Sequence, residues 1–337
     1  MKYRRLHLIE KLRVQAAAVA ALVAVYFWAY QALSRTDPQS PVIFLGGGAG
    51  NLVYFVAILM GLAVFAGAVT VGLRSSAAVL ATLVGAAGLS LRSPIILPLL
   101  WNNQDALGTL MGRMILETML LAALVLAAVL VAGWVRRRII SLNPAWAWQD
   151  PLATLTEEQR RKIKPKHMNE LNGGYGTGAG LPGYLIYMLS VRGTRRVGGD
   201  HNIKAALLQG LYGLLLGTLA GFILLLLLMR SPDRAQILFA VAGSLFLAAL
   251  LGYQVFPFRS ASVALLLPVV LAVAMYALGA LKAISGMHLS WLTVAPFACA
   301  VPLDWVTAGA AGAVAGYWVS SRIHEARYGE LDETDQE

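Results

Sequence analysis

Cysteine is all but missing from these 337 residues, and charge is scarce. The single thiol, Cys299, excludes an intrachain disulfide and any metal framework built on several cysteines. Set in an apolar run, it reads as a buried, inert side chain. Charged residues make up 13% of the chain and apolar ones 58%, against a charged fraction of about 25% in soluble proteins. With so little charge to coat it, this apolar surface needs lipid as its solvent. Metal-ligand spacing is also lacking, because the five histidines (His7, His167, His201, His288 and His324) are scattered. No G-x-x-x-x-G-K-[ST] occurs, which excludes nucleotide hydrolysis through a P-loop of the chain's own. No cofactor is expected.

What the chain does have is eight long apolar stretches, beginning near Val14, Asn51, Ala77, Ile115, Ala205, Ala235, Ala261 and Trp305. Most run about 17–25 residues, the length that crosses a hydrocarbon core of about 30 Å. The predicted fold class is all-α: a polytopic transmembrane helical bundle of about eight spans. Basic residues 1–13 lead into a stretch of full spanning length with no short signal-like core, so it reads as an uncleaved first span.

Charge sets the orientation. With the N-terminus inside, 21 of the 27 Lys and Arg residues fall on the inner side and six on the outer. The outer six are Arg35, Arg92, Arg113, Arg230, Arg234 and Lys282. This bias requires both termini on the cytoplasmic side of the inner (plasma) membrane. The net charge of +10 then reflects topology and attraction to lipid headgroups, and no nucleic-acid partner is expected. Trp28, Trp101, Trp134, Trp305 and Trp318 fall near predicted helix ends, where indoles anchor at the interface.

The sequence divides into a first four-helix unit (1–135), a basic cytoplasmic loop (136–204), a second four-helix unit (205–323) and an acidic, unstructured tail (324–337). The fourth stretch ends Trp134-Val135-Arg136-Arg137-Arg138-Ile139 and the eighth Trp318-Val319-Ser320-Ser321-Arg322-Ile323, so W-V-x-x-R-I recurs. The third and seventh both open after Arg-Ser, at Arg74 and Arg259. Four spans per unit is an even number, so such repeats would be parallel, related by an axis along the membrane normal. Alternatively, the likeness reflects only the Trp-then-Arg habit of any inner helix end. Gly213, Gly217 and Gly221, with Gly312 and Gly316, form small-residue ridges that let helix backbones approach in lipid.

The loops carry less chemistry. Residues 94–100 are too short to cross, and with 285–303, broken by Pro296 and Pro302, they read as re-entrant or interfacial segments. In the basic loop, Thr156-Glu157-Glu158-Gln159 is a capping box, 172–183 is glycine-rich, and 181–189 with Arg192, Arg195 and Arg196 reads as a strip on anionic lipid. This loop is the place for a cytoplasmic protein partner. Gly178-Ala179-Gly180-Leu181-Pro182-Gly183 fits G-x-G-x-x-G, but no strand precedes it and Pro182 sits where a helix should open.

Gly198-Gly199-Asp200-His201-Asn202-Ile203-Lys204 resembles the Gly-x-Gly-Asp-x-Lys motif of prepilin peptidases, intramembrane aspartyl proteases. The resemblance implies a second carboxylate sharing a proton with Asp200. The spacing to Lys204 is longer than in the motif, and no second Asp ends an inner helix of the first half. The plainer reading is an N-cap turn.

Glu117 and Asp304 are the better lead. Each lies near the outer end of the last helix of its half, with Arg113 four positions before Glu117 and Arg92 nearby in sequence. Carboxylates at membrane depth are expensive and mark ion or substrate paths, though at the interface an ion pair or snorkelling also accounts for them. The expectation is a transporter or the membrane-embedded subunit of a transport or secretion assembly, more a carrier than an enzyme. The alternative is a scaffold that recruits a partner through the basic loop.

Overall fold

The structure, a computed structural model, describes residues 8–33, 41, 44–45, 49–71, 73, 75–143, 203–256, 261–284 and 299–334. The basic loop with its capping box, glycine-rich run and interfacial strip lies outside the described residues, as do Asp200, Arg74, Arg259 and His288. Among the described residues every regular element is helical. In chain order they are α1 (Leu8–Ala24), a π-helical turn (Val25–Ala29), α2 (Tyr30–Leu33), α3 (Ala49–Val69), α4 (Ser75–Arg92), α5 (Leu97–Asn102), a 3-10 turn (Gln104–Ala106) and α6 (Leu107–Leu142). After the basic loop come α7 (Ile203–Leu228), α8 (Arg234–Val255), α9 (Ala261–Ile284), α10 (Pro302–Asp304), a second π-helical turn (Trp305–Gly309) and α11 (Ala310–Thr334).

Among the described residues six segments are long and apolar enough to cross a membrane: Leu12–Ala29, Gly50–Val69, Leu107–Leu142, Gly210–Leu228, Arg234–Val255 and Val263–Leu281. The third and eighth stretches fall short of that measure. Ala77–Arg92 is a shorter apolar helix, and the last helix is broken by a π turn and runs on into charged residues. The fourth stretch starts earlier than its hydropathy suggests, at Leu107, because nothing after Ala106 breaks the helix before Leu142. At 36 residues and about 1.5 Å per residue, α6 overshoots the hydrocarbon core. The tail expected to be unstructured is helical as far as Thr334; Glu, Ala and Arg are good helix formers.

Carboxylates at membrane depth turn inward while large apolar side chains face out. Glu117 is 1% exposed while its neighbour Leu116 is 64% exposed, and Phe239, at 67%, faces out while Asp304 is fully buried. An apolar outer skin is what lipid accepts as a solvent, and carboxylates at that depth turn away from it.

The two halves pack in related ways. In the first, α3 packs on α6, α1 on α4, and α4 on both α3 and α6. In the second, α8 packs on α11, α7 on α9, and α9 on both α8 and α11. They differ in the partner of the opening helix: α1 lies mainly on α4, whereas α7 lies mainly on α8. Across the middle the contacts are reciprocal, α6 against α9 and α4 against α11 with its π turn. A single apolar core runs through both halves.

Glycine sets the closest approaches. A Cβ on Gly312 or Gly316 would collide with the backbone carbonyls of Ala242 and Phe246, so α8 and α11 meet backbone to backbone. A Cβ on Gly252 would lie 3.0 Å from the Gly213 carbonyl oxygen and 3.6 Å from the Gly217 Cα, and one on Gly221 would lie 3.3 Å from the Ala248 Cβ. Helix α7 therefore uses its glycine ridge against α8.

Candidate functional site: a polar seam between the halves

The site is built around the last turn of α4. That helix stops at Arg92 because Pro94 follows shortly and cannot continue it. Its final carbonyls lack the full set of helical donors, the Ser93 N–H being shared between the Leu89 carbonyl at 3.1 Å and the Ser90 carbonyl at 3.2 Å. Arg234, from the other half, takes one of them: Nε donates to the Ser90 carbonyl at 3.0 Å and an η nitrogen does so at 2.5 Å. A cation is well placed at a helix C-terminus.

The same guanidinium forks onto Asp304, one η nitrogen donating to Oδ2 at 2.7 Å and the other to Oδ1. Asp304 Oδ2 also accepts the Val301 N–H at 2.9 Å. The carboxylate thus sits in the first turn of the last helix, which Pro302 opens. One turn on, the Thr307 hydroxyl donates to the Leu303 carbonyl at 2.7 Å and shares a 2.9 Å hydrogen bond with the Ser90 hydroxyl. Ser90, Asp304 and Thr307 are all fully buried. Arg234 and Asp304 therefore satisfy each other while gripping the opposite half.

Arg92 completes the edge. Its η nitrogen donates to the Tyr26 carbonyl at 2.8 Å, and the guanidinium lies 5.5 Å from the Tyr26 ring centroid and 5.4 Å from that of Tyr30. This contact falls on the first π turn, where the Tyr30 N–H bonds to the Val25 carbonyl. Both π turns thus flank the end of α4, one facing Arg92 and the other Ser90.

Glu117, on α6, is the least satisfied member. Its Oε2 accepts the Leu45 N–H at 3.2 Å, whereas Oε1 is buried with no hydrogen-bond partner among the described residues. Phe44, stacked on Phe55 with centroids 4.8 Å apart, closes that side. From α9, Tyr276 donates to the Ala300 carbonyl at 2.6 Å and lies close enough to feel the charges of Asp304, Glu117 and Arg234. The Trp305 indole N–H lies near Tyr276 without hydrogen-bond geometry and is likewise buried without a partner among the described residues.

Of the residues singled out in the sequence, Glu117 and Asp304 both turn inward, and Tyr276 links their surroundings. Arg92 lies at the rim, half-buried. Arg113 does not join them: it is exposed while Glu117 is buried, so the four-residue spacing on α6 makes no ion pair. Arg234, Ser90, Thr307 and Tyr276 were not singled out as site residues. Trp305, expected at the interface as an anchor, is instead fully buried, because α10 starts the last helix a turn earlier and carries the indole inside. Among the described residues no three His, Cys, Asp or Glu side chains are grouped to hold a metal ion.

All-α among the described residues, with six helices long and apolar enough to cross a bilayer, the chain is a multi-pass integral membrane protein. Comparison with protein-family models, with curated proteins and with solved structures finds no match.

Proposed function

We propose that this membrane protein works as a transporter, or as the membrane-embedded subunit of a transport or secretion assembly, with the seam between two parallel four-helix units as its path. One observation carries the reading. Six ionisable and hydroxyl side chains drawn from both halves (Ser90 and Glu117 from one, Arg234, Tyr276, Asp304 and Thr307 from the other) gather at that seam rather than facing lipid. Polar groups that lipid makes expensive persist where they serve a path. The reciprocal packing of α6 on α9 and α4 on α11 supports duplicated units, and two bodies meeting on such an interface can rock about it. With the inner membrane and an inside N-terminus, the Arg234–Asp304 clamp stands at the outer end.

A second reading is favoured by the saturation of that clamp. Because Arg234 and Asp304 are both fully engaged, the bundle would also serve as a rigid anchor, with the 136–204 loop recruiting a cytoplasmic partner. Deleting residues 151–196 separates the two readings, since recruitment needs the loop and the path does not.

The test of the path is access. In a Cys299→Ser background, Ser90→Cys or Thr307→Cys should react with a membrane-impermeant cationic thiosulfonate while the protein functions in cells. A thiol that stays unreacted for as long as one buried in the helix core counts against a path here.

A further inference from the structure

We propose that Glu117 is a monovalent-cation site, its free Oε1 holding a proton or Na+ within the seam. The site lies on the path proposed above, yet its occupancy can be measured without any transport. The carboxyl points inward, for Glu117 is 1% exposed beside a Leu116 that is 64% exposed. Among the described residues the carboxyl meets only backbone N–H groups at Phe44 and Leu45, the latter at 3.2 Å, and Oε1 has no hydrogen-bond partner. A carboxylate stripped of water needs a positive partner or a proton.

Among the described residues no neighbouring side chain supplies that charge. Arg234 is committed to Asp304 and the Ser90 carbonyl, Arg92 reaches the Tyr26 carbonyl, and Arg113 on α6 itself is exposed. Around Glu117, α9 contributes Tyr276 and α10 contributes Asp304, whose charge Arg234 answers. From α3 comes only the exposed Tyr54, and from α4 only Arg92. Trp305, from the other half, leaves a second polar group unmatched in the same interior. The guest is monovalent because one carboxylate faces it. A divalent ion would ask for six or more oxygens, and no cluster of acids is present among the described residues.

Two measurements on the full-length protein in detergent test this. In the first, dicyclohexylcarbodiimide, which enters apolar sites and reacts with carboxyls in the protonated form, should modify Glu117, as read by peptide mass spectrometry, and the modification should fall as pH rises. Slowing by NaCl, but not by choline chloride at equal ionic strength, assigns Na+ to the site as well; indifference to NaCl assigns the proton alone. In the second, the wild type's unfolding constant should fall by up to tenfold per tenfold rise in proton or Na+ concentration over the saturable range. Glu117→Gln, which keeps an acceptor for Leu45, should lose that dependence. Parallel curves for the two proteins overturn the site whatever the reagent does, and so does labelling indifferent to both pH and Na+. The seam cysteines report on the path independently of either result.

Discussion

Removing one partner of the Arg234–Asp304 pair should be far more damaging than removing both. Asp304 is fully buried and the Arg234 side chain 14% exposed, so Asp304→Asn leaves a largely buried guanidinium whose main counter-charge is gone. Breaking a buried pair in this way costs about 3–5 kcal/mol. Arg234→Met should cost a similar amount, because it strands the carboxylate and leaves the Ser90 carbonyl with only the shared Ser93 N–H at 3.2 Å. Replacing both with apolar residues of like volume is often neutral, so Arg234→Met with Asp304→Leu should recover most of the loss. Arg234→Lys should fall between, since an ammonium cannot fork onto the carboxylate while holding Ser90. For comparison, Ser90→Ala removes only a hydroxyl bond to Thr307, worth about 0.6 kcal/mol between helices in lipid. The charge, not the hydroxyl, should dominate the seam. Reversible unfolding in mixed micelles, run as a double-mutant cycle, measures all of these. Single variants that cost under about 1 kcal/mol, or a double variant equal to the sum of its singles, would refute the reasoning.

Other outcomes follow from the packing. Gly316→Leu or Gly312→Leu should force α8 and α11 apart and lower the melting temperature sharply, whereas Gly61→Ala and Gly112→Ala, with open space at the new Cβ, should be neutral or gain up to about 1 kcal/mol; differential scanning fluorimetry reads both. Cys299, 2% exposed, should resist maleimide in the folded protein and react fully once denatured, which a timed mass-spectrometric assay records. Arg92→Met should free the Tyr26 carbonyl in the first π turn and loosen that end of α1, seen as faster amide exchange at residues 25–33 with little change beyond Leu110.

The helical, lipid-embedded class was legible because apolar stretches between basic ends leave no other solution. Glu117 and Asp304 stood out for the same reason, as charges where charge is costly. Arg234 did not. At the head of an apolar stretch it reads like any arginine at a membrane surface, and its partner lies 70 residues away, across a contact that only the fold makes. Trp305 misled because an indole near a helix end has the same signature whether it faces headgroups or the core, and a helix start three residues earlier decided the matter. The π turns leave no trace in composition or period, yet one of them carries the Tyr26 carbonyl that Arg92 holds. The short α4 was harder still, since its role comes from where it ends rather than from what it contains.

The central claim is that the halves meet through the end of α4, with Ser90 against Thr307, their side-chain oxygens 2.9 Å apart. In a Cys299→Ser background, cysteines at both positions should close an intramolecular disulfide under mild oxidation, seen as a loss of two hydrogens and two alkylatable thiols. A control pairing Ser90→Cys with Phe239→Cys should stay reduced. If instead both thiols at positions 90 and 307 remain free while the protein is folded, the halves do not join there and the seam does not exist as described.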